Sequence, residues 1–104
     1  MLTEDSNTGL SADDLIGRII VCDTPNTTYV VYVQEVLMVI VSGPSGNHVS
    51  RQVSGLLPEN LTLHFLLSDV DRLATPEDLA RLNVAERLSP SLPEEALIAF
   101  QGLM

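Results

Sequence analysis

The chain has 104 residues, 45% of them hydrophobic and 18% charged, with no Trp and a formal net charge of −9. That apolar content argues against a disordered chain and supplies one core without disulfide staples, and the length fits one domain. The acidity argues against direct contact with nucleic-acid phosphates or anionic membrane surfaces, and it suits a protein partner with a basic face.

All five cations are arginine, and lysine is absent. Because Lys and Arg serve surface solubility about equally well, this reads as compositional bias. Cys22 is the single cysteine, so no intramolecular disulfide can form. A reducing, cytoplasmic setting is the expectation. The first residues, Met1 to Ser6, are acidic where a signal peptide carries a basic stretch. The longest apolar run, Val36 to Val41, is too short for a bilayer.

In chain order, residues 1–10 read as a disordered tail. Ser11 with Asp13 and Asp14 marks a helical turn over Ser11–Ile16, ended by Gly17. The β-branched run that follows predicts a strand from Arg18 to Asp23. Turn chemistry fills Asp23–Thr27. Thr28 to Val41 is dense in β-branched and aromatic residues and too long for an ordinary strand. Its only polar break is Gln34-Glu35. Two strands are predicted, Tyr29–Val33 and Val36–Ser42, with one strand bent by a bulge as the alternative.

Gly43–Asn47 is a hairpin loop, His48–Ser54 a half-exposed strand, Gly55–Asn60 a second loop and Leu61–Leu67 a strand. Ser68–Ala74 reads as a short helical turn with Ser68 as cap. Thr75-Pro76-Glu77-Asp78 is a helix start, a capping Thr followed by Pro and two acids, and the helix runs to Leu82. Residues 83–91 give no clear pattern. A last helix is predicted from Pro93 to Gln101, ended by Gly102.

The expected fold is mainly β with C-terminal helices, α+β in class. It takes the form of a small five-stranded antiparallel barrel, SH3-like or OB-like, capped by two short helices. A single domain over 11–104 divides into a β region, 15–67, and a helical region, 68–104.

No residue set points to catalysis, a cofactor or a metal. His48 and His64 lack the spacing of a zinc site. Cys22 lies in an apolar strand beside Asp23, which disfavours a thiolate. The carboxylate pairs fall mostly at helix starts, where the helix dipole favours acids. Ser68-Asp69-Val70-Asp71 has too few oxygen ligands and no Gly for a calcium loop. Gly43-Pro44-Ser45-Gly46 has neither the Lys nor the helix of a phosphate loop.

One feature stands apart: charge is sparse from Thr24 to Thr75, so something must cover Val30–Val41. Either the chain's own helices do, or part of the run is a partner surface. A non-enzymatic protein–protein interaction module is therefore expected. As an adaptor or small inhibitor, it would set Asp69, Asp71, Glu77 and Asp78 against a basic face of another protein. The alternative is a structural subunit of a larger homo- or hetero-oligomeric assembly, such as a phage or cellular particle, joined through a β edge or the apolar sheet.

Overall fold

The computed structural model describes residues 12–104. The proposed tail, residues 1–10, lies outside the described residues, as does Ser11. A 3-10 turn, Ala12–Leu15, leads into strands β1 (Ile19–Asp23), β2 (Thr28–Gly43), β3 (Gly46–Leu56), β4 (Thr62–Leu66) and β5 (Val70–Leu73). Helices α1 (Pro76–Arg81), α2 (Val84–Arg87) and α3 (Glu94–Leu103) follow. All strand pairs are antiparallel, in the order β4-β3-β2-β1-β5.

The mainly β, α+β architecture stands, but the expected closed barrel does not. β4 and β5 are the two edges of an open sheet and do not pair with each other. They are consecutive in the chain, joined only by the 3-10 turn Leu67–Asp69, so the sheet curls and brings both edges to one apolar cluster. Phe65 of β4 and Val70 of β5 are both buried there.

β3 runs on through Gly55 and Leu56, expected to open a loop, because both pair with β2 and β4; the strands differ from expectation more deeply in two further places. Tyr29–Val33 and Val36–Ser42 are one continuous strand bent by a bulge, the alternative reading of that run. The pairing with β3 runs Val33↔Gly55 and then Glu35↔Ser54, which leaves Gln34 without a partner. A regular strand would send Val33 and Val36 to opposite faces; the extra residue restores both to one face. Second, the helical turn expected over Ser68–Ala74 is a short 3-10 turn followed by β5. Three residues of β1, Ile20, Val21 and Cys22, find partners in Leu73, Arg72 and Val70. Pairing with a buried strand overrides the local helical signal, and it extends the β region to residue 73.

β1 and the Val30–Val33 stretch of β2 are covered on both faces. On one face Ile20, Cys22, Val31 and Val33 pack with Leu15, Val53, Leu57, Phe65, Leu67 and Val70. On the other, Ile19, Val21, Val30 and Tyr32 pack under the helices, against Leu79, Val84, Leu92, Ala96 and Phe100. A strand sandwiched this way carries no polar face, which is why Ile19–Cys22 and Val30–Val33 read as unbroken apolar runs.

The helical layer has three helices where two were expected. α1 starts as the sequence indicates: Thr75 and Asp78 form a reciprocal capping box, with Pro at the first helical position. α2 occupies the ambiguous stretch, entered through Asn83 in the left-handed conformation at φ 56°. α3 runs past Gly102 to Leu103. Arg87 locks this layer to the sheet. Its guanidinium donates twice to the Glu59 carboxylate, both at 3.1 Å, and once to the Leu82 carbonyl at 2.7 Å.

Gly55 marks the closest approach in the sheet. A Cβ built there would stand 2.4 Å from both the Tyr32 carbonyl oxygen and Val31 Cγ1. Gly55→Ala is therefore expected to lower the unfolding free energy by about 2–3 kcal/mol, the cost of overpacking a rigid core. Phe100→Ala, which empties the centre of the helical layer, is expected to cost about 3–5 kcal/mol. Urea denaturation monitored by circular dichroism measures both; a loss below about 0.5 kcal/mol for either, the range of a surface change, contradicts this packing.

Candidate functional site

Beyond the Gln34 bulge, β2 and β3 leave the body of the protein as a two-stranded arm. β1 pairs with β2 only over Thr28–Tyr32, and the last bonds on that side join Val33 to Gly17 and Arg18. β4 pairs with β3 only over Gln52–Leu56. The β2–β3 ladder continues alone from Met38↔Arg51 to Gly43↔Gly46, closed by Pro44-Ser45. Gly46 accepts the φ of 114° that this turn requires, and Ser42 Oγ donates to Asn47 Oδ1 at 2.9 Å across the tip. Six residues of strand span on the order of 20 Å at about 3.4 Å per residue. The described chain is accordingly elongated, 46 × 28 × 26 Å.

The arm is apolar, with Arg51 at its base as its one Asp, Glu, Lys or Arg. From Val36 to Ser50 there is no Asp, Glu, Lys or Arg. Met38 and Ile40 of β2 lie across from Arg51 and Val49 of β3, which puts them on one face. Met38, Ile40 and Val49 are 61%, 66% and 62% exposed. Leu37 and Val39, on the opposite face, are half-buried. The question posed by the sequence therefore has a divided answer. The chain's own core covers Val30–Val33, and among the described residues nothing covers Met38 or Ile40.

The acidic set falls elsewhere, at the other edge of the sheet and the start of α1. The structure brings Asp71 and Asp78 together around one guanidinium, since Arg72 donates to both carboxylates. Asp78 is buried. Besides Arg72 it accepts from Arg81 at 2.9 Å and from the Thr75 backbone and hydroxyl at 2.9 and 3.1 Å. Burial pushes its carboxyl up, but the Thr75 hydrogen bonds and the two arginine charges outweigh burial and hold it below its ordinary value of 3.8. Asp78 is thus a structural pin between β5 and α1. Asp69 is half-buried at the 3-10 turn and Glu77 is exposed on α1.

The remaining chemical candidates stay apart. His48 is exposed near the arm's tip and His64 is exposed on β4. Among the described residues no group of three His, Cys, Asp or Glu side chains could hold a metal ion. Cys22 is fully buried in the core under the curled sheet. Burial, with lesser contributions from Asp69 and Asp23, pushes its thiol up to about 12. Among the described residues, no helix is long and apolar enough to cross a membrane. Comparison with protein-family models, with curated proteins and with solved structures found no match.

The sequence signal for the arm was present but undivided. Val30–Val41 is apolar on both sides of Gln34-Glu35, and only pairing partners separate its sandwiched half from its bare half.

Two outcomes follow. Asp78→Ala is expected to cost about 2 kcal/mol, mostly the cap, because Arg72 and Arg81 are partly exposed and their attraction is screened. The Asp78 carboxyl is depressed in the folded state, so its contribution is full above the ordinary value of 3.8 and is lost as pH falls through the lower folded value. The wild type should therefore lose more stability than the variant on acidification below about pH 4; parallel losses contradict the pin. Cys22 should resist alkylation by iodoacetamide at pH 8 until urea unfolds the chain, and rapid labelling of folded protein contradicts its burial.

Proposed function

We propose that this protein is a non-enzymatic protein–protein interaction module whose docking element is the β2–β3 arm. The observation that carries the reading is the bare apolar face of a projecting hairpin whose one charged residue, Arg51, sits at its base. Single exposed hydrophobic residues are ordinary on any surface, but Met38, Ile40 and Val49 are neighbours across one ladder, and a contiguous apolar patch marks an interaction surface. The rest of the fold anchors the arm, because the same two strands run on into the sheet, where each joins the buried core.

The adaptor or inhibitor version, an acidic surface laid against a basic partner, draws less support. Two of its four residues, Asp71 and Asp78, already face arginine. It rests on Asp69, Glu77 and the net charge. The subunit version, joined through a β edge or apolar sheet surface, uses the arm itself and is favoured by it. An SH3-like description of the curled sheet belongs to the same proposal; its support is the three-residue turn that links the two edge strands.

The test is a charged arm. Met38→Lys with Ile40→Lys should leave the thermal melt within a few degrees of wild type, since surface changes stay near 0.5 kcal/mol. The same pair should abolish quantitative capture of bound protein, untagged copies of the chain included, from a lysate of the source cells. Equal capture by both forms contradicts a docking role for the arm.

A further inference from the structure

Resting on the arm as the docking element, we infer that its occupant is a second copy of this chain. The β2 edges of two arms pair antiparallel about a twofold axis and join two sheets into one.

Three observations lead there. The first is the edge. Past Val33 the outer side of β2 has no strand neighbour among the described residues, so its backbone offers a ready ladder for another strand. Natural edges are guarded by charge, proline or bulges. β5 carries Asp71 and Arg72, and the free part of β3 carries Arg51. The free edge of β2 from Val36 to Gly43 carries none of these guards; its only bulge sits at the root.

The second is charge. A net charge of −9 opposes self-association and would ordinarily select a basic partner. Yet the arm holds no Asp, Glu, Lys or Arg over Val36–Ser50, and two arms paired about Val39 keep their roots at Val36 roughly 20 Å apart. That distance exceeds the screening length of about 8 Å at physiological salt. A basic partner would find nothing on the arm to pair with, whereas an identical arm matches it in polarity.

The third is self-complementarity. A twofold contact requires each residue to meet its own counterpart set. Overlap of Val36–Ser42 in the two copies places the axis at Val39 and sets Met38 of one copy beside Ile40 of the other, on the same face. The same register carries the Pro44 tip of one arm to the root of the other. There the chain forms a shallow hollow that includes Ile16, Val33, Gln34 and Glu35, and Ile16 is 50% exposed. The paired edges bury on the order of several hundred Å² per copy, the low end of specific interfaces. The dimer is therefore expected to dissociate on dilution.

The experiment is sedimentation equilibrium of the full chain at low and high salt, with disulfide trapping. Wild type should show a concentration-dependent dimer that tightens as salt rises, because salt screens the like charges of the two bodies. Met38→Lys with Ile40→Lys should weaken it roughly tenfold or more while the circular dichroism melt holds. Val39→Cys, at the axis, should form a disulfide-linked dimer under mild oxidation, and Ser45→Cys, at the tip, should not. A monomer at every concentration and salt overturns the second copy as occupant. So does a dimer that Ser45→Cys traps and Val39→Cys does not, or one that disappears when residues 1–10 are deleted. If the chain is monomeric but the charged arm still abolishes capture from lysate, the docking role survives and the occupant is another protein. If capture is also unchanged, both readings fall.

Discussion

Burial on both faces of β1 and of β2 up to Val33 is the constraint from which the rest of the structure follows. Ile20, Cys22, Val31 and Val33 need a cover on one side, and Ile19, Val21, Val30 and Tyr32 need another on the opposite side. The curled edges of the sheet supply the first cover, and the three C-terminal helices supply the second. Neither cover is stable alone, since helices this short depend on packing rather than on propensity. The cap at Asp78 and the Arg87–Glu59 bridge fix the helices in place. They contribute modestly beside the hydrophobic burial they make possible.

The two covers end where the bulge begins. Gln34 is the point at which β2 stops being an interior strand and becomes one side of an arm. The bulge keeps Val33 and Val36 on one face, so the apolar stripe of the core continues outward without a break along Met38 and Ile40. An arm built in this way has the composition of a core and the position of a surface. That mismatch is the physical basis for assigning it a partner.

Much of the sheet could be read from the chain. The β-branched runs mark β1 and β2, the polar pair Gln34-Glu35 marks the bulge, and Thr75-Pro76 with Asp78 marks α1. The failures share one cause, which is that pairing is a tertiary property. β5 looks like a helical turn because Ser68 and Asp71 imitate a cap; it is a strand because β1 has a free side. The barrel was inferred from strand count, but closure depends on β4 meeting β5, which the count does not determine. Asp78 looked like a solvated acid at a helix start, and only the return of Arg72 beside it reveals a buried pin. The division of Val30–Val41 into covered and bare halves was hidden for the same reason.

The central claim is that β2 has two physical regimes, core up to Val33 and arm beyond Val36. Amide hydrogen exchange resolved along the strand, in dilute solution, tests this most directly. Amides of Val30–Val33 should exchange only through global unfolding, and those of Leu37–Val49 should exchange orders of magnitude faster through local opening. Uniform, near-global protection from Val30 to Val49 at the lowest concentration would contradict the claim, because it would place the arm inside the chain's own core.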